Sequence, residues 1–302
     1  MSDLVLWLRS PQVTSLVVNM LEQGALFGFL GLGVLITFRF FRFPDLTAEG
    51  SYPLGGAVVA ALLVARVDPF LATGAAVLAG AAAGVTTALV HTKLRINNII
   101  AGIIVMTALY TINLRVMGKA NTPLLNTPTV FGDVAGWFSL SENVMTTIPI
   151  AAAMLATGGL LLVWFFHTDL GLAVRATGQN ETMALSLGVD VDRTKMVGLA
   201  LSNGFIALSG ALVAQNHGFA DIGMGIGILV TGAAAVLIGE AIFGDRTIAV
   251  WVFAAIVGVL LYRLLVALAL RLGLEPIDLR LVTALLLLLA LAIPRFRRRI
   301  LR

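Results

Sequence analysis

The chain has no cysteine among its 302 residues. Disulfides, thiolate metal sites and cysteine nucleophiles are excluded together. Charge is scarce as well, at 12% Asp, Glu, Lys and Arg, against roughly 25% in an ordinary soluble domain. Histidine occurs three times, at His91, His167 and His217, with no pair at metal-ligand spacing. No Gly-x4-Gly-Lys-Ser/Thr run is present, so the chain does not bind ATP through a phosphate loop. Clustered carboxylates and a nucleophile beside a base are also missing. A membrane enzyme therefore has no constellation to rest on, and the expectation is a protein without covalent chemistry, metal or cofactor of its own.

What is there is apolar. Hydrophobic residues make up 59% of the chain, and its mean hydropathy is +0.99. A soluble domain cannot hide that much apolar surface, so lipid is the expected solvent. Apolar runs of roughly 17–25 residues recur, the length a helix needs to cross about 30 Å of hydrocarbon. Barrel-type alternation is absent, leaving an all-α, polytopic membrane helical bundle as the expected fold. The runs predict about nine transmembrane helices, eight to ten at the limits. They fall at 13–38, 47–66, 70–90, 96–117, 147–167, 195–215, 226–243, 248–270 and 279–295. Pro44, Asp45, Glu49, Gly50 and Pro53 interrupt the second, which predicts a span that is broken or enters late. No cleavable signal peptide is evident at the start. Gly24 with Gly28, and Gly80 with Gly84, have the spacing of close helix packing.

The sequence pI is near 10. The basic residues lie in short loops and a tail beside the spans, where they act as topology signals, and nucleic acid is not an expected partner. Placing the tail at 295–302 inside puts Arg39, Arg42, Lys93, Arg95, Arg175, Arg193, Lys195 and Arg246 on the same side as the tail's own Arg295, Arg297, Arg298, Arg299 and Arg302. Arg9, Arg66, Arg115, Lys119, Arg271 and Arg280 fall outside, and Arg263 falls in a span. The bias predicts a cytoplasmic C-terminus and an external N-terminus. The long connection 118–146, with Pro123, Pro128, Trp137 and Phe138, then becomes an ordered external loop.

The inside segment 168–195 reads as a soluble, helix-capable hairpin between two spans. Asn180 can cap a short helix, Glu181 suits its first turn, and Gly188 can end it in the left-handed conformation. Two turns are unstable alone in water. Met183 and Leu187, four apart, give the helix one apolar stripe. It either packs on its own bundle or docks on a cytosolic partner.

GLAVRATGQN (171–180), followed by Ala184, Leu187-Gly188-Val189 and Asp192 to Lys195, resembles the coupling loop of ABC-importer permeases of the branched-chain amino acid and simple-sugar group. FPDLTAEGSYPLGGAVVAAL (43–62) resembles the second-span motif of that family. INNIIAGIIVMTALYTINLRVMG (96–118) and LIGEAIFG (237–244) are similar to segments of a subgroup that includes permeases assigned to tryptophan and other aromatic amino acids. The resemblance covers nearly the whole chain. It implies a type II importer in which residues 1–302 form one transmembrane permease domain in the cytoplasmic (inner) membrane. A second copy would complete the pore, a cytosolic ABC ATPase subunit would hold ATP and Mg, and a periplasmic or lipid-anchored solute-binding protein would deliver the solute. Arg175, Asn180, Glu181, Met183, Ala184, Leu187 and Gly188 would couple to the ATPase.

Polar residues inside spans are costly and point to a role. Thr107, Tyr110 and Asn113 recur every three residues on one helix face; they either bond neighbouring helices or line the pathway, and the same choice holds for Ser202 and Asn203. Asp45, Thr47, Glu49 and Ser51 head the second helix, where local capping competes with a place near the pathway that the resemblance implies. Gly223 and Gly225 expose backbone before a helix start that could receive a solute carboxylate, or else form a tight turn. Glu22, Glu240 and Arg263 are expected to be structural charges. Arg263 would snorkel or pair with Glu22, Glu275 or Asp278, and Glu240 would pair with Arg175. The expected function is import of a small solute, an aromatic or related amino acid on resemblance, by alternating access driven by a separate ATPase. The alternative is an ion-gradient-driven secondary transporter or channel, which needs a coupling-ion site that the sequence does not display.

Overall fold

A computed structural model describes residues 11–244 and 247–300. Arg9, Arg246 and the side chains of the basic tail, which enter the inside–outside count, lie outside what is described. The elements run α1 (Pro11–Leu35), a π-helical extension (Ile36–Phe40), α2 (Ala48–Val64), α3 (Pro69–Lys93), α4 (Asn98–Met117), β1 (Asn121–Pro123), α5 (Val130–Trp137) and α6 (Val144–Phe165). They continue with α7 (Asp169–Gln179), α8 (Glu181–Ser186), α9 (Val191–His217), β2 (Phe219–Asp221), a 3-10 turn (Ile222–Gly225), α10 (Ile228–Phe243), α11 (Ile248–Arg271) and α12 (Leu279–Ile300).

Local chemistry sets the ends. Asp68 accepts from the Phe70 and Leu71 amides ahead of α3, with Pro69 in the first turn where a missing N–H costs nothing. α4 stops at Gly118, whose φ of 69° suits a residue without Cβ. Asn143 and Thr146 close a reciprocal capping box on α6.

Seven of the described helices are long and apolar enough to cross a membrane, and two apolar helices, Ala48–Val64 and Leu279–Leu288, are shorter. The expected count of about nine thus divides into seven full-length spans and two short ones. The reason at α2 is visible. The π extension of α1 ends at Phe41, and the Phe43 N–H bonds the Thr37 oxygen at 2.8 Å, turning the chain back on itself. Residues 43–47 then run non-helically inside the protein, where side chains satisfy their polar groups. α2 begins beside Asn203, twelve residues into α9 and about 18 Å along it.

α9 is the central post, packed against α1, α2 and α3, while α11 packs on α1 and α10. Gly80 and Gly84 let α3 touch α9 at the backbone: a Cβ on Gly84 would strike the Leu199 oxygen, and one on Gly80 would strike the Ala207 Cβ. With no hydrophobic drive between helices in lipid, such contact is a main source of adhesion. At one end of the bundle, β1 pairs antiparallel with β2, Thr122 opposite Ala220. Trp137 stacks on Phe70 at 5.4 Å, and Gln215 accepts the Val130 N–H at 2.9 Å. The 118–146 connection is therefore ordered. α7 and α8 lie at the other end, reached by the single crossing of α6.

Candidate functional site

α2 and α10 both start after irregular backbone, and their N-terminal ends meet. A Cβ on Gly225 would collide with the Glu49 backbone oxygen and stand 2.7 Å from Pro53 Cδ. At Gly225, then, the missing side chain lets the backbone of α2 come close. The Gly227 N–H, at the start of α10, faces the Glu49 carboxylate.

Beside this junction, α2, α4 and the 3-10 turn enclose a cleft of about 260 Å³. It is lined by Glu49, Gly50, Pro53, Met106, Thr107, Tyr110, Asn113, Ile222, Gly225 and Ile226. Five of the candidate pathway residues thus meet here: Glu49, Thr107, Tyr110, Asn113 and Gly225. Tyr110 is exposed and Glu49 half-buried. Thr107 turns its hydroxyl back to the Ile103 oxygen at 2.8 Å. Asn113 is fully buried and donates through Nδ2 to the Gly50 oxygen at 3.1 Å, while its Oδ1 has no partner. A buried acceptor without a donor is uncommon enough to need an explanation. Gly50 and Pro53 stood out in the sequence only as interruptions of the second span, and Met106, Ile222 and Ile226 did not stand out at all; nothing separates these three from other apolar residues until three distant stretches fold together.

Asp45, Thr47 and Asn203 belong elsewhere, to a buried network behind the cleft. Asn203 Nδ2 donates to Asp45 Oδ2 at 2.7 Å, and its Oδ1 accepts from the Ser51 hydroxyl at 2.7 Å. The Thr47 N–H bonds Asp45 Oδ1 at 2.9 Å, and the Thr47 and Thr87 hydroxyls are 2.7 Å apart. Ser202 bonds the Gly33 oxygen at 2.8 Å. Gly223 gives its N–H to Asp221 Oδ1 at 2.7 Å and does not line the cleft. A larger groove of about 820 Å³ between α3, α6 and α9 has Thr157 as the sole polar side chain of its lining, and so nothing to orient a polar solute.

Two expected charge pairings are corrected. Glu240 pairs with Arg39 at 3.0 Å, not with Arg175, because the π extension of α1 carries Arg39 to the end of α10 and lays its guanidinium 4.6 Å from the Trp251 ring centre. Arg263 lies 3.4 Å over the Phe27 ring and forms none of the expected ion pairs among the described residues. Glu22 is instead bonded by Asn216 at 3.1 Å.

The hairpin is a built piece. Thr168 caps α7 and Asn180 caps α8, the latter accepting the Met183 N–H at 3.0 Å. Gly188 follows α8 with φ of 80°. Ala184 faces inward at 1% exposure, whereas Met183 and Leu187 are 60% and 69% exposed. Lys195, at the base of α9 and nearly buried, grips Glu181 Oε1 at 2.6 Å and approaches His91 Nε2 at 3.3 Å. The Thr177 and Thr194 hydroxyls meet at 3.0 Å, and Gly178 rests against the backbone of Phe40 and Phe41. Arg175 is half-buried on α7.

Residues 16–292 match the family described as the permease component of branched-chain amino acid transport systems. A tyrosine transport system permease protein of Clostridioides difficile is 38% identical over 276 residues, 91% of this chain and 90% of that protein. A ribose import permease protein of Escherichia coli is 26% identical over 224 residues, 73% of this chain and 68% of that one. Among solved structures, PsaBC from Streptococcus pneumoniae in complex with Fab superposes with a TM-score of 0.50 at 15% identity, covering 96% of this chain and 94% of that one; that likeness concerns the fold.

Proposed function

This chain belongs to the permease-component family of branched-chain amino acid transport systems, and we propose on that premise that it forms the membrane half of an ATP-driven amino acid importer. It is a multi-pass membrane protein and a transport subunit rather than an enzyme. Residues 1–302 act as one permease domain that pairs with a second copy. A separate cytosolic ATPase binds ATP and Mg, and a periplasmic or lipid-anchored binding protein supplies the solute. An aromatic amino acid is the best-supported solute, on the 38% identity to the tyrosine permease protein. The Glu49–Asn113 cleft is its stopping place within the chain.

One observation carries the ATPase coupling. The hairpin is fastened to the bundle by Ala184, Thr177 and Lys195, yet it leaves Met183 and Leu187 uncovered. A rigid post with an unburied apolar tip suits a groove on a partner and passes that partner's motion to α9 and to the end of α1. Each such side chain contributes roughly 1.5–3 kcal/mol when buried. Changing Met183 and Leu187 together to Asp should abolish co-purification of the partner ATPase and stimulation of its hydrolysis, with the variant still folded in detergent. Binding by neither wild type nor variant would instead favour transport driven by an ion gradient.

A further inference from the structure

Resting on the permease reading, we propose that the cleft takes its solute by a protonated amino group, held by the Glu49 carboxylate with Asn113 Oδ1 as second acceptor. The ligand class is an α-amino acid or a related primary amine, as opposed to a sugar or an organic acid. Glu49 is the one ionisable acid among the lining residues, and no Lys, Arg or His stands with it. A solute carboxylate would meet that charge without a counter-charge.

The acceptors match an ammonium in number as well as in sign. An ionised carboxylate offers about four lone-pair sites, and Glu49 stands half-buried at the cleft wall. Asn113 lines the cleft, and its buried Oδ1 is unpartnered while its Nδ2 is committed to Gly50. An ammonium brings three donors and no acceptor, so it can fill both. A sugar hydroxyl could donate too, but it would leave the Glu49 charge unbalanced in a partly dry site. The rest of the wall suits a solute's apolar part: Met106, Ile222, Ile226 and the Tyr110 ring.

The test is direct binding to the purified permease–ATPase complex in lipid nanodiscs, without binding protein, read by calorimetry. The probes are tyrosine and leucine, the amines tyramine and isopentylamine, and the acids 3-(4-hydroxyphenyl)propanoate and 4-methylpentanoate. At least one amino acid and its matching amine should bind saturably, with the matching acid at least tenfold weaker. Glu49→Gln should weaken the amine at least tenfold, and Glu49→Asp should recover part of that loss. Acids binding as well as amines, no saturable binding by any probe, or an unchanged Glu49→Gln affinity would each overturn the proposal. The comparison of probes on wild type stands even if the variants do not fold. The same titrations run on the chain alone, so failure of the ATPase to co-purify counts against the importer reading and not against the ammonium site.

Discussion

Asn203 answers two distant partners at once: its amide nitrogen serves Asp45 as well as the Leu199 oxygen one turn back, and its amide oxygen takes the Ser51 proton. Asn203→Ala removes both bonds and leaves a buried carboxylate short of a donor. Polar contacts between membrane helices average about 0.6 kcal/mol, whereas an orphaned buried group costs about 1–3 kcal/mol. The orphaning governs here, so the variant should lose about 1–3 kcal/mol and melt measurably lower in detergent. Gly225 makes a different single-residue argument. Gly225→Leu drives a side chain into the Glu49 backbone and the Pro53 ring. Overpacking of that kind costs about 1–3 kcal/mol and shifts Glu49, so uptake should fall even in molecules that reach the membrane. Uptake equal to wild type would show that the α2–α10 junction tolerates separation.

The hairpin is the element whose parts were most legible in sequence. Asn180, Glu181 and Gly188 announce a capped two-turn helix, because capping is local chemistry. What holds the element down was not legible. Lys195 is one charge among several in the sequence, and only the fold buries it against Glu181. The two ends of that pair are unequal: the Lys195 side chain is 9% exposed and that of Glu181 53%. Removing Glu181 leaves a nearly buried ammonium with only the His91 ring beside it, whereas removing Lys195 leaves a carboxylate that water can solvate. Glu181→Ala should therefore loosen the hairpin by about 1–3 kcal/mol, and Lys195→Met by under about 1 kcal/mol. Hydrogen exchange of the α8 amides would rank the two; the reverse order would mean that the pair does not anchor the element.

Over the whole molecule, a single crossing by α6 separates the 118–146 loop from the hairpin, so the two must lie on opposite sides of the membrane. The absence of native cysteine makes this directly measurable. Leu125→Cys and Leu187→Cys place thiols at positions 79% and 69% exposed. With the hairpin inside, an impermeant maleimide should label Leu125→Cys in intact cells and Leu187→Cys only after permeabilisation. Labelling of both from outside would break the topology, and the inverse pattern would reverse it.

Span positions such as 248–270, observed as Ile248–Arg271, could be read from the sequence because hydropathy and length are sums over neighbouring residues. The interruption at Pro44 to Pro53 likewise marked α2 as unusual. That Thr107, Tyr110 and Asn113 share a face follows from helical geometry. Other matters depended on which helices touch. The pairing of Glu240 with Arg39 depends on a π-helical end to α1. The division of the polar span residues between a hydrogen-bonded network and an open cleft depends on Asn203 standing beside the start of α2. The cleft draws on residues 49–53, 106–113 and 222–226, whose separations carry no periodicity. The solvent, the helices and their caps follow from stretches of chain alone, since each is settled within a few turns. The tertiary structure alone decided which acceptor was left without a donor, because that depends on every atom within reach of it.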